Sequence, residues 1–232
     1  MSTMSTIQPP PFHRSSYTIT SPRLTIRTAQ ESDTIALMKH LQTPENFPWP
    51  CEQDITPEKL SQRLGRWQAM QSRGETAFLI MTLNETGELL GQASYNCFEQ
   101  VEVATPMSAF ETQAATSEKG KSNEAKKKVL LTDLGITLEH SHWRKGLGTE
   151  AYCSLMEFAI VELGVRLFRC ETGENNEAWK TTMRKLGLGR FEEFGPISFN
   201  DKLKGWRWRY SAEDWAVIKE ELKESERWPL PL

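Results

Sequence analysis

The run Trp143-Arg144-Lys145-Gly146-Leu147-Gly148-Thr149-Glu150-Ala151 has the residue types and spacing to hold an anion. It follows an apolar strand pattern and opens a helical one. The first N–H groups of a helix have no partner within it and carry the positive end of the helix dipole. Glycines there let a phosphate reach the backbone. Arg144 and Lys145 add positive charge beside the turn. Residues Arg144, Lys145, Gly146, Leu147, Gly148 and Thr149 are therefore expected to bind a pyrophosphate. No Gly-Lys-Ser/Thr is present, so the run is not a P-loop. Gly146, Gly148 and Ala151 do fit the dinucleotide fingerprint Gly-x-Gly-x-x-Ala, and Glu171 ends the next strand, where a ribose-binding acid would stand. Topology speaks against that reading. Only one more helix precedes a β-β segment, and the chain before the turn offers a hairpin where parallel crossovers are needed.

Groups able to move protons lie just before the turn. Glu139 is the first candidate general base, His142 the second and His140 the third. A solvated strand-end acid explains Glu139 equally well, and an ordinary surface imidazole explains each His. Asn176 is a candidate ligand contact and also a natural helix cap. Lys180 and Arg184 share a helix face, which surface placement accounts for. Cys51, Cys97, Cys153 and Cys170 are far apart, and no His/Cys/Asp/Glu cluster has ligand spacing, so no metal is expected. Free thiols point to a reducing, cytoplasmic setting.

The elements that must position these groups follow from periodicity. Residues 24–27 alternate as a strand, and 31–41 place Ile35, Leu37, Met38 and Leu41 at helical spacing. A second helix runs 56–72, opened by Thr56-Pro57. Strands 76–83 and 88–98 form a hairpin around Gly87. Residues 99–128 are read as a disordered insertion, since loops beyond about 12–15 residues are uncommon in compact domains. A strand over 129–138, a helix over 146–163, a strand over 165–172 and a helix over 176–186 follow. Two strands within 190–210 and a helix over 212–224 complete the order. Residues 1–20 read as a disordered tail and 225–232 as a second tail, leaving one domain over 21–224.

The bulk properties fit a globular protein: 232 residues, 38% hydrophobic and 25% charged. A net charge of −3 gives no bias toward nucleic acid or acidic membranes. No apolar run approaches the roughly 18 residues of a membrane span. Lys126-Lys127-Lys128 reads as a solvated charge run, with a nuclear address as the alternative.

Loop, order and flanking motifs together resemble the GNAT superfamily of N-acetyltransferases. Gly146-Leu147-Gly148 fits that family's pyrophosphate loop, with Trp143 where Arg or Gln is usual. Trp143 followed by Thr149-Glu150-Ala151, the opening Arg23-Leu24-Thr25-Ile26-Arg27 and the ending Tyr210 to Trp215 are similar to the branch of ribosomal-protein alanine N-acetyltransferases. Asn176-Glu177-Ala178 with Lys185-Leu186-Gly187-Leu188 is similar to the family's Asn-x-Ala helix. The resemblance implies a single α/β acyl-CoA N-acyltransferase domain, its mixed seven-stranded sheet splayed between strands 4 and 5 and flanked by helices. It implies acetyl-CoA as cosubstrate, with pantetheine along Ile136, Thr137 and Leu138, and direct acetyl transfer to a primary amine. The acceptor would be a small molecule or a protein N-terminus, and the enzyme a monomer or homodimer. Trp179 and Met183 stand where branches of the family place a Ser or Tyr acid. A catalytically silent acyl-CoA-binding protein is therefore the first alternative, and a dinucleotide enzyme the second.

Overall fold

Leu24 and Ile26 alternate with polar neighbours and are both buried, which fixes the inward face of strand β2 (Leu24–Thr28). The structure, a computed structural model, describes residues 10–104, 126–198 and 200–231. Strand β1 (Thr18–Thr20) pairs antiparallel with β2, which pairs in turn with β3 (Ala77–Leu83). Strands β4 (Leu89–Ala104), β5 (Lys126–Leu138), β6 (Val165–Gly173), β7 (Glu192–Ile197) and β8 (Asn200–Ser211) complete one sheet. Its order is β1-β2-β3-β4-β5-β6-β8-β7, eight strands among the described residues. All pairs are antiparallel except β5 with β6.

Helices cover both faces. On one lie α1 (Thr34–Gln42) and α2 (Pro57–Ser72), whose Leu37, Leu41, Leu60 and Leu64 pack on Ile80. Thr56 caps α2 by accepting from the Lys59 N–H at 3.3 Å. On the other lies the larger core, built on α3 (Leu147–Val161), α4 (Glu177–Lys185) and α5 (Ala212–Glu224). Ser211 and Asp214 form a capping box at the start of α5.

The feature that makes a site is an interrupted ladder. The β4–β5 pairing runs on to Gly91↔Leu138, but β5 meets β6 only from Leu130 to Asp133. Residues 134–138 thus have one bonded side and one open side. The expected splay is present. It falls between the fifth and sixth strands because the sheet has eight strands, the additional one being Thr18–Thr20.

The expected tails are corrected in part. Phe12 and Tyr17 are buried in the larger core, and the Tyr17 hydroxyl donates to the Phe12 carbonyl at 3.0 Å. Residues 1–9 lie outside the described residues. Trp228 and Leu230, expected in a tail, pack against the same core. The expected insertion narrows, since β4 continues to Ala104 and β5 starts at Lys126, with 105–125 outside the described residues.

Candidate active site

The glycine turn is built from backbone. Arg144 has φ +62° and Gly146 φ +77°, both left-handed. A non-glycine residue in that region costs about 1–2 kcal/mol, so Arg144 is held there against its preference. Gly146 is the N-cap of α3 and supplies no side chain over the first turn. The N–H groups of Leu147, Gly148 and Thr149 are thus left without helical partners, and the ladder starts with the Glu150 N–H donating to the Gly146 carbonyl at 3.0 Å. A Cβ on Gly148 would meet nothing within 4 Å, so the approach is open. Arg144 and Lys145 are exposed, without ion-pair partners among the described residues.

The strand leading into this turn presents its backbone to the gap. A Cβ on Gly91 would stand 2.1 Å from the Thr137 carbonyl oxygen, so that carbonyl faces β4, and glycine is required at φ +149°. Alternation turns the backbone groups of Ile136 and Leu138 to the open side. There the Leu138 carbonyl accepts from the Trp143 indole N–H at 2.7 Å.

A side-chain constellation closes the same strand end. His40, fully buried on α1, places Nδ1 3.1 Å from Glu139 Oε1 and Nε2 3.0 Å from Thr137 Oγ1. Asn46 is fixed beneath it. Its Oδ1 accepts the His140 N–H at 2.8 Å, and its Nδ2 donates to the His40 carbonyl at 3.0 Å. Burial lowers the His40 pKa and outweighs the upward pull of Glu139, so the imidazole is neutral. A bare Nδ1 facing a carboxylate would set lone pair against lone pair. The Glu139 contact calls for a proton on Nδ1, with Nε2 accepting from the Thr137 hydroxyl, whereas the Asn46 amide Nδ2, also 3.1 Å from Nδ1, suits the tautomer with Nδ1 bare. Glu139 Oε2 has no hydrogen-bond partner among the described residues, and the side chain is one-fifth exposed.

The decisive comparison concerns the whole domain. The model of a GNAT acetyltransferase domain matches residues 23–189.

The chain belongs to the GNAT acetyltransferase family.

Its fold agrees with solved relatives. RimJ from Mycobacterium smegmatis, solved with a CoA disulfide, shares 12% identity over 95% of this chain and 98% of that one, at a TM-score of 0.61. A putative ribosomal-protein-serine acetyltransferase from Vibrio cholerae shares 14% over 84% and 97%, at 0.57. Apo FdhC, described as a nucleotide-linked sugar GNAT, shares 12% over 92% and 98%, at 0.61. At these identities the likeness is one of fold. No curated protein matches the sequence. The family makes this chain an acyl-CoA-dependent N-acetyltransferase, with acetyl-CoA as its cosubstrate.

Within this GNAT domain the expected site residues fall into two groups. Ile136, Thr137 and Leu138 form the open strand edge, and 144–149 the turn beside it. Glu139 stands at the strand end, whereas His142 meets it only through backbone, N–H to carbonyl at 2.9 Å. The His142 ring turns to the Ser141 hydroxyl at 3.1 Å, and the His140 ring lies edge-on to Trp143 at 4.8 Å. Asn176 caps α4, accepting the Trp179 N–H at 3.1 Å and donating to Thr172 Oγ1 at 2.7 Å, which occupies both ends of its amide. Lys180 pairs with Glu177 at 2.9 Å and lies over the Trp206 ring, and Arg184 pairs with Glu192.

Other groups are taken up elsewhere. The Tyr95 hydroxyl donates to the Leu155 carbonyl at 2.8 Å, and the Tyr152 hydroxyl is enclosed with Tyr210 and Cys170. Burial pushes the Cys170 thiol up to about 12 and raises that of Cys153. Glu171 accepts from the Ser198 N–H and hydroxyl, both at 2.6 Å, so it braces the β7–β8 turn. That contact and the sheet order set the dinucleotide reading aside. Among the described residues no group of three or more His, Cys, Asp or Glu is placed to hold a metal.

Sequence reasoning missed His40, Asn46 and the Trp143 bond to Leu138. Only the first had a signal: a histidine between apolar Leu37 and Leu41 on the inward face of a helix.

Proposed function

We propose that this enzyme transfers acetyl from acetyl-CoA directly to a primary amine within a ternary complex. The observation that carries the reading is the adjacency of three things: an open strand edge at 134–138, an anion cradle at 144–149, and a carboxylate at the strand end between them. In this reading the diphosphate rests on the N–H groups of the turn, with Arg144 and Lys145 beside it. The pantetheine arm lies along Ile136, Thr137 and Leu138 and bonds to the open-side backbone groups, those of Ile136 and the Leu138 N–H, the Leu138 carbonyl being held by Trp143. Asn176 borders the arm.

Glu139 is the general base. Its Oε2 takes a proton from the amine, directly or through one water, while Oε1 is held by His40. The amine nitrogen attacks the thioester carbonyl carbon, and the carbon–sulfur bond breaks as the tetrahedral intermediate collapses. The products are the amide and CoA, whose thiolate takes its proton from solvent. The buried tyrosines and thiols take no part, and Cys153 and Cys170 are too deeply enclosed and too weakly acidic to act as nucleophiles. Positioning and backbone donors supply most of the rate enhancement, and the base about 10²–10⁴-fold. The acceptor is a small-molecule amine or a protein N-terminus. The Vibrio protein named for ribosomal-protein-serine acetylation has this fold, which supports a peptide amine as the first class to try.

The presence of Trp179 and Met183, neither able to act as an acid through a hydroxyl, favours as second reading a silent acyl-CoA-binding protein. Thiol release from acetyl-CoA, followed across amines and peptides, tests both. Amine-dependent CoA release supports the enzyme. Tight acetyl-CoA binding with no release by any amine supports the silent protein. Failure to bind acetyl-CoA overturns both.

A further inference from the structure

Two signatures in the sequence have no part in the chemistry above: Arg23, just before β2, and Glu150 in Thr149-Glu150-Ala151. They meet across 127 residues. Glu150 lies in the first turn of α3 with its side chain 1% exposed, while that of Arg23 is 47% exposed. Glu150 Oε1 accepts from the Ser21 hydroxyl at 2.7 Å and from the Arg23 backbone N–H at 2.8 Å. Its Oε2 accepts from Arg23 Nε at 2.6 Å. The same guanidinium reaches into the turn, where Nη1 donates to the Lys145 carbonyl at 2.9 Å. Nη2 lies 3.4 Å from where a Cβ on Gly146 would stand and has no protein acceptor among the described residues.

A carboxylate in the first turn of a helix complements the helix dipole. At an anion site it also opposes the ligand, because a charge within a Debye length of about 8–10 Å is felt, and more so when buried. We propose that Arg23 is a positioning residue for the coenzyme: it cancels the charge of the buried Glu150 carboxylate and, through the Lys145 carbonyl, sets the turn that receives the diphosphate. This rests on the reading that the diphosphate lies on residues 144–149.

The test separates a coenzyme role from a purely structural one by using two donors. Acetyl-CoA carries the diphosphate, and S-acetylpantetheine offers the same thioester arm without it. Arg23→Ala should lower the preference for acetyl-CoA over S-acetylpantetheine, measured as the ratio of kcat/KM values, by roughly tenfold, the scale of one charge-assisted hydrogen bond. The double variant Arg23→Ala/Glu150→Gln should regain part of that preference, because the uncompensated charge is gone. Arg23→Lys keeps the charge without the two-point grip and should fall between. Equal losses with both donors in Arg23→Ala and Arg23→Lys would overturn the proposal, leaving the pair to hold the fold alone. Should Arg23→Ala not fold, Arg23→Lys decides, and an unchanged donor preference in it overturns the proposal. If the wild-type enzyme shows no preference for acetyl-CoA over S-acetylpantetheine, the reading of the diphosphate site fails instead.

Discussion

The two regions that follow the open strand, the 144–149 turn and the Glu139 cluster, are held in different ways. The turn at 144–149 is made from backbone: left-handed φ values, unpaired N–H groups and a glycine that leaves space. The end at Glu139 is made from side chains brought together from α1, the Pro44–Asn46 turn and β5. A backbone site tolerates most side-chain changes and fails on steric or charge intrusion. A side-chain site fails on loss of a single hydrogen-bonding atom. Coenzyme affinity should therefore belong to the first region and turnover to the second.

The sharpest test of that division is Glu139→Gln. Turnover should fall on the order of 10²–10³-fold while acetyl-CoA affinity, read by calorimetry, stays close to wild type. A parallel loss of both would join the two regions into one. Gly148→Asp should show the opposite pattern. Its side chain enters open space, so folding is undisturbed, but the carboxylate meets the diphosphate, and acetyl-CoA should bind roughly a hundredfold more weakly.

His40→Gln probes the support beneath Glu139. Turnover should drop about tenfold, the weight of one hydrogen bond to a charged group, with coenzyme affinity retained. The same variant has a pH signature. Burial holds the His40 pKa below its ordinary value, so on acidification the unfolded chain takes up its proton first. The stabilisation is complete above about pH 6.5 and is lost as pH falls toward the lower folded value. Comparing melting temperatures of the two proteins between pH 7.5 and 5 isolates that component, since other titrating groups such as Asp133 contribute to both. A smaller acid-induced drop in His40→Gln is expected, and identical slopes would contradict a buried neutral imidazole. The smallest effect is expected from Arg144→Gly. Relief of the left-handed strain should stabilise the fold by about 1 kcal/mol in thermal unfolding, and loss of one exposed cation should weaken acetyl-CoA binding only a few-fold.

The same contrast explains what could be read from the sequence. The turn was legible because its parts are contiguous: strand, glycines and helix follow one another from Thr132 to Ala151. The order of elements along the chain followed from local period, and the mixed sheet with its splay from family resemblance. His40 was not legible, because a helical period marks a face and cannot say which strand end that face meets. The period itself grouped Ile35 with Leu37, Met38 and Leu41, yet Ile35 is 64% exposed. Strand β1 escaped for a different reason. Thr18, Ile19 and Thr20 contribute one buried residue, too short a pattern to stand out from a Ser- and Thr-rich stretch.

The ladder beyond Leu130 has one more consequence. On that side β5 residues 126–129 have no β6 partner among the described residues, so β4 and β5 run on as a two-stranded ribbon whose outer rim pairs with no described strand. Such rims recruit strands from other molecules and seed aggregates. Here Lys127 and Lys128 are exposed along it, with Glu102 exposed across the ribbon. Lys side chains beside a strand edge are one of the ways such rims are kept from pairing with another chain, and Lys127 and Lys128 stand at this one.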